Sequence, residues 1–201
     1  MTAMTYSTYL HLDELLSLQH PLTPSDQQDV HDSERLFIVV HQASETLLSQ
    51  VLTDLRHIEA DRCTSQCFAH RVDRATRLIH ALEGQLSLLH NTLRRTDFLL
   101  FRDRFGSASG LQSTQFRELF TLTERLTRRD VAHRSVTELE HLMRLRAAVQ
   151  DWRRTHIKLV AHMIGDLPGS GNTSGIEYLA RQLDGPAPGD AAAAAGPRTR
   201  S

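Results

Sequence analysis

The chain has 201 residues, enough for one sizeable hydrophobic core, so a single domain is expected. Its net charge of −1 argues against a general nucleic-acid binder, and no apolar run is long enough to span a bilayer. The N-terminal stretch has no basic region before an apolar segment, so we expect no signal peptide and a cytoplasmic protein.

Apolar residues recur at helical spacing along most of the chain, and no segment alternates as a strand does, which predicts an all-α helical bundle. A short amphipathic helix is predicted around Tyr9–Leu18, before a proline-rich connector. Three long helices with broad apolar faces are then predicted, from about Asp26 to His57, Cys63 to Leu93 and Val136 to Ile164.

The pattern changes between the second and third long helices. Two aromatic-rich pieces are separated there by GSASG, which predicts a helical turn, a loop and a helix from Ser113 to about Arg128. After the last long helix comes the loop PGSGNTSG, with one or two further turns expected within Gly175–Leu183. We therefore expect one helical domain over residues 1–184 and a disordered Pro/Gly/Ala-rich tail over 185–201.

Cysteine and histidine side chains are common metal ligands. Cys63 and Cys67 lie four residues apart on a predicted helix, and we expect two reduced thiols, because a metal site needs further ligands and none is arranged convincingly. Most of the twelve histidines, His57 among them, lie among polar neighbours and are expected at the surface. Three histidines are set apart from these, His31, His41 and His156, and for any one of them alone a core role is more common than a ligand role.

Four blocks of sequence together resemble a known family. They are TYSTYLHLDELLSLQHPL (5–22), HDSERLFIVVHQASE (31–45), FRDRFGSASGLQSTQFR (101–117) and WRRTHIKLVAHMIGDLPGSGNTSG (152–175). In this order they resemble the tryptophan 2,3-dioxygenase superfamily of histidine-ligated haem enzymes. The resemblance implies a single helical domain that encloses haem b between its helices.

The resemblance also implies roles for residues at the haem. His156 matches the axial ligand of the iron, and His41 matches the catalytic histidine on the opposite side, which faces the bound gas and the indole. Ser109 and Gly110, in the GSASG loop, are expected to bind the cofactor. Haem chemistry agrees, because a five-coordinate haem needs one neutral imidazole on a rigid element.

Further matches concern the substrate. Arg102 matches the arginine that grips the substrate carboxylate, a planar two-pronged contact that arginine makes better than lysine. Phe37, Phe98 and Ser170 match positions at the substrate, although the family has tyrosine and threonine where Phe98 and Ser170 stand. Tyr6 matches a tyrosine that reaches into a neighbouring subunit, which implies a homo-oligomer, either a tetramer or a dimer.

The chain also departs from the family pattern. Only about thirty residues separate FRELF from WRRTH, where the family is expected to carry a larger helical insertion. We expect a divergent haem-dependent oxygenase that uses O2 on the indole ring of L-tryptophan or a derivative. The alternatives are a monooxygenase acting on a modified aromatic amino acid in specialised metabolism, a non-catalytic haem-binding sensor and a haem-free interaction module.

Overall fold

The computed structural model describes residues 4–61, 63–106, 108–128 and 134–169. This part of the chain is all-α, as predicted, and contains no β-strand. Its α-helices in chain order are α1 (Tyr6–Leu10), α2 (Leu12–Leu16), α3 (Gln28–Glu59), α4 (Ser65–Thr92), α5 (Arg95–Phe101), α6 (Thr114–Arg128) and α7 (Val136–Ile164). Two 3-10 helices, Arg102–Phe105 and Gly110–Gln112, lie between α5 and α6. The predicted further turns within Gly175–Leu183 and the tail 185–201 lie outside the described residues.

Local sequence determines where the long helices begin and end. At the start of α7, Ser135 accepts a hydrogen bond from the Glu138 backbone N–H, and the Glu138 carboxylate accepts one from Ser135. The helix ends at Gly165, whose positive φ of 57° is easily adopted by glycine. The observed bounds of the three long helices and of α6 agree with the predicted bounds to within about two residues.

The N-terminal prediction was wrong in one respect. Instead of one helix around Tyr9–Leu18, the chain forms α1 and α2, which are separated at His11. His11 adopts a left-handed conformation with φ of 51°, and this conformation interrupts the helical hydrogen-bond pattern. The leucine spacing gave no indication of that break.

Helix α4 packs against both α3 and α7, and these three helices contribute most of the core. Fully buried leucines come from each of them and from α6, including Leu48, Leu82, Leu119 and Leu145. Helices α5 and α6 each contact α3 and α7 as well, so they close the space between those two helices. No described helix is both long and apolar enough to cross a bilayer.

Three acidic residues are buried in the described part of the chain, Glu34, Asp54 and Asp97, and Asp54 lies where α3 packs on α4. The Asp54 side chain on α3 is fully buried and accepts hydrogen bonds from Arg71 and Arg74, both on α4. Burial alone would raise the pKa of Asp54, but the hydrogen bonds and charge of Arg74, together with Gln50 and Arg71, outweigh it and lower the pKa. The contact therefore joins α3 to α4 through one carboxylate and two guanidinium groups.

Replacing Asp54→Asn should lower the free energy of unfolding by about 1–3 kcal/mol at neutral pH, because an amide supplies a weaker acceptor to two arginines. The difference from wild type should begin to shrink as the pH falls below about 4, where the unfolded chain takes up the proton, and should disappear only below the lowered pKa of the folded carboxyl. Urea unfolding measures both effects. The control Asp151→Asn alters an exposed pair on α7 and should cost less than about 0.5 kcal/mol.

Candidate functional site

A cavity of about 720 Å³ lies between α3 and α7 and is closed by α5, α6 and the loop that joins them. Its size is within the range of small-molecule and cofactor sites. Aromatic side chains from four helices and a 3-10 helix form much of its wall, namely Phe37, Phe98, Phe105, Phe116, Phe120 and Trp152. An apolar wall of this kind suits a large flat ligand.

His156 contributes one of two imidazoles to the cavity wall. It lies on α7 one turn after Trp152, whose ring is nearly parallel to the imidazole at 5.3 Å between centroids. Burial, with a contribution from His41, lowers the pKa of His156 to about 4. Among the described residues, no group hydrogen-bonds to this ring. His156 is therefore an uncharged imidazole at neutral pH, with a ring nitrogen lone pair available to bind a metal.

The second imidazole is that of His41, on α3. The accessible part of the His41 side chain faces the cavity. Burial lowers the pKa of His41, and the hydrogen bond to the Phe37 carbonyl and the charge of Glu45 oppose this shift only in part. Nδ1 lies 2.7 Å from the Phe37 carbonyl oxygen, which can only accept, so Nδ1 carries the proton and donates. In the neutral ring, Nε2 is consequently a hydrogen-bond acceptor.

Arg102 contributes a guanidinium at the cavity edge where α5 gives way to the 3-10 helix. Its side chain is only 12 % exposed, and Nη2 donates to the Pro168 carbonyl oxygen at 2.7 Å. The neighbouring Asp103 is 93 % exposed and lies 4.0 Å away. The backbone contact holds the segment after α7 against the 3-10 helix and places a cation beside the aromatic wall.

The other residues singled out from the sequence fall into three groups. Phe37, Phe98, Ser109 and Gly110 line the same cavity as His41, His156 and Arg102. Tyr6 does not line the cavity of its own chain, and it is 75 % exposed on α1. Ser170 lies outside the described residues. His31, also singled out, binds the Thr23 carbonyl oxygen through Nδ1 at 2.7 Å and does not line the cavity.

Three charged residues of the cavity wall were missed by the sequence reasoning, namely Glu45, Arg117 and Arg153. The Glu45 carboxylate accepts a hydrogen bond from Gln115 at 2.6 Å, and the Arg153 guanidinium lies 4.8 Å from the Phe120 ring centre. All three lie within the sequence blocks quoted above, so the family resemblance was the signal that could have identified them.

Comparison with known proteins gives one consistent result. The family model described as tryptophan 2,3-dioxygenase matches residues 1–135. The chain is 32 % identical to the tryptophan 2,3-dioxygenase of Kineococcus radiotolerans, with 90 % of this chain and 86 % of that protein covered. It is 29 % identical to the enzyme of Anaeromyxobacter sp. (strain K), with 92 % of each chain covered. The enzyme of Anopheles gambiae is 38 % identical over 125 residues, which cover 58 % of this chain and 31 % of that protein.

The extent of these alignments bears on the site. The family model ends before α7 and therefore does not reach His156. The alignment with the Kineococcus enzyme covers 90 % of the 201 residues, and a span of that length must include position 156. The alignment with the Anaeromyxobacter enzyme runs over 252 positions, more than the 201 residues of this chain, so it includes segments that the relative has and this chain lacks. The expected shortening relative to the family is thereby confirmed.

In the ligand-free protein, His156 should remain neutral at every pH above about 4, because burial opposes its protonation. The unfolded chain takes up this proton near 6.5, so the contribution of His156 to stability should fall as the pH falls from 6.5 to about 4. NMR titration of the imidazole signals measures the pKa, with His156→Gln to assign the signal. A titration midpoint near 6.5 for that signal would contradict the prediction.

Proposed function

This chain belongs to the tryptophan 2,3-dioxygenase family, and on that premise we propose that it is a haem-dependent oxygenase acting on the indole ring of L-tryptophan or a tryptophan derivative. The observation that carries the proposal is the placing of His156 and His41 on two different helices around one largely aromatic cavity. Neither a surface histidine nor an ordinary core histidine requires such a cavity beside it.

The residues present fit a haem b. His156 supplies a neutral imidazole without a competing hydrogen bond among the described residues, and it is held on a helix of 29 residues. Arg117 and Arg153 place positive charge on the cavity wall, which suits the two carboxylates of a haem. Ser109 and Gly110 lie on the same wall, at the loop before α6. Bound there, the haem would supply the iron that binds and activates O2.

The same wall offers complementary groups to an amino acid with an indole ring. Arg102 has five N–H donors, and its contact with Pro168 leaves others for the substrate carboxylate. The Nε2 lone pair of His41 suits the indole N–H, while Phe37 and Phe98 supply apolar surface for the ring. Fixing both ends of the substrate holds the ring close to the bound gas, which contributes to rate by proximity.

A homo-oligomer is also part of the proposal. Exposed apolar side chains are concentrated at the N-terminal end, namely Met4, Tyr6, Tyr9, Leu15, Leu16 and Leu18. Leaving this much apolar surface in water is unfavourable, and packing against a second copy removes it. Tyr6 would then approach the cavity of the partner chain, which explains why Tyr6 does not line the cavity of its own chain.

Replacing His156→Ala should lower the haem content of the purified protein by more than about tenfold, because the only iron ligand assigned to the chain is removed. Added imidazole should restore the Soret band, since it replaces the missing side chain. The control His162→Ala removes another histidine of α7, which contacts His90 rather than the cavity, and should retain full haem content. Full pigment with an unchanged optical spectrum in His156→Ala would refute the haem assignment.

Replacing Arg102→Lys should raise the KM for tryptophan by about 10- to 100-fold, because a point charge loses the two-pronged contact with the carboxylate. The control Arg104→Lys alters an exposed arginine that contacts Gln27, and its KM should stay within about twofold of wild type. Equal KM values for the two variants would rule out the assigned role of Arg102.

Turnover is measured by mass spectrometry of products formed from tryptophan and its ring-substituted derivatives under labelled O2. Two labelled oxygen atoms in the product identify ring cleavage, and one identifies the monooxygenase alternative. A protein with bound haem that forms no labelled product from any of these substrates contradicts the proposed function.

A further inference from the structure

Three side chains with metal-binding atoms meet at the corner where α3 ends and α4 begins. His57 lies in the last turn of α3, Cys63 precedes α4, and Cys67 lies in its first turn. The two sulfur atoms are 3.3 Å apart, and the Cys67 sulfur is 3.6 Å from Nε2 of His57. All three potential ligand atoms lie within 4.8 Å of one another, and the three residues are half-buried.

These distances are close to those around a tetrahedral zinc ion. With Zn–S bonds of about 2.3 Å and Zn–N bonds of about 2.0–2.1 Å, two sulfurs stand about 3.8 Å apart and a sulfur about 3.5 Å from a nitrogen. The observed separation of Cys67 from His57 agrees with this, and the sulfur pair needs to open by about 0.5 Å. Rotation of the side chains suffices for a change of that size.

The surroundings of Cys67 favour the thiolate form that metals bind. Nε of Arg71 donates to the Cys67 sulfur at 3.4 Å, and the same guanidinium is held by the buried Asp54. Cys67 also lies in the first turn of a helix of 28 residues, where the partial positive charge of the helix end stabilises an anion. Two features, the Arg71 donor and the helix N-terminus, therefore act on the Cys67 sulfur.

The chain connection itself brings the ligands together. Asp61 adopts φ of 53°, a left-handed conformation that is uncommon for a residue other than glycine. This turn brings Cys63 back towards the end of α3, so that it faces His57. For this reason the expectation that no further ligand is arranged near the cysteines was wrong.

We propose that His57, Cys63 and Cys67 form a binding site for a borderline-soft divalent cation, with Zn²⁺ as the best match to two thiolates and one imidazole. Three protein ligands leave the fourth tetrahedral position to water or another small ligand. The stretch of α3 from His41 to His57 spans about 24 Å, so this site is separate from the cavity. Bound metal would fasten the end of α3 to the start of α4.

The test uses the full chain with its haem, freed of other metals by a chelator and kept reduced. Titration with Zn²⁺ in a calorimeter should give one ion per chain, with a dissociation constant below about 1 μM. X-ray absorption at the zinc edge, which the haem iron does not disturb, should show two sulfur ligands at about 2.3 Å and at least one nitrogen at about 2.0–2.1 Å. Stoichiometric Zn²⁺ should also protect both thiols from alkylation.

Variants identify the ligands. Each of Cys63→Ser, Cys67→Ser and His57→Asn should weaken Zn²⁺ binding by at least about tenfold. The matched control His70→Asn changes an exposed histidine of α4 and should bind Zn²⁺ as wild type does. Because the site lies away from the cavity, haem content should be unchanged in all four variants, which distinguishes loss of the metal site from unfolding.

Several outcomes would overturn the proposal. One is a reduced wild-type protein that takes up no Zn²⁺, including the case in which Cys63 and Cys67 serve only to form a disulfide. Another is a zinc spectrum with nitrogen and oxygen ligands alone. A third is binding by His57→Asn and by both serine variants that equals the binding by wild type.

Discussion

Removal of water from two imidazoles is the constraint on which the site depends. Burial lowers the pKa of both His41 and His156, and the charge of a protonated His41 lowers that of His156 further. A charged imidazole is a poor metal ligand and a poor hydrogen-bond acceptor, so the proposed roles of both residues require this environment. The aromatic wall, with Phe116 stacked on Trp152 at 4.5 Å and Trp152 parallel to His156, surrounds the His156 ring with apolar surface.

The arrangement of the helices explains how two residues far apart in sequence come to share one cavity. Helix α4 packs on both α3 and α7, and α5 and α6 contact both of these helices as well. The cavity is the space that these five helices leave unfilled between His41 and His156. A rigid frame of this kind is what a ligand-bearing histidine needs, because each side chain is fixed by a helix anchored along much of its length.

Helical periodicity predicted the long helices and their bounds, because apolar faces at spacings of three and four residues are a local property of the chain. The resemblance, rather than periodicity, brought His41, Arg102 and His156 together. Two features escaped both kinds of reasoning. The break at His11 depends on a left-handed backbone conformation that is uncommon for a residue other than glycine, so the residue type gave no sign of it. The approach of His57 to the cysteines depends on the turn at Asp61, across which helical spacing no longer relates side-chain directions.

The position of the site also explains how a shorter chain can retain it. The described residues that line the cavity lie on helices α3 to α7, on the segment between α5 and α6 and just after α7. Helices α6 and α7 are joined by residues 129–135 alone, so a family member with more chain there would add it outside these elements. Loop closure costs little extra free energy as a connection lengthens, so a connection can gain or lose residues while the packed helices stay in place. Shortening in such a connection leaves the wall around the two imidazoles intact.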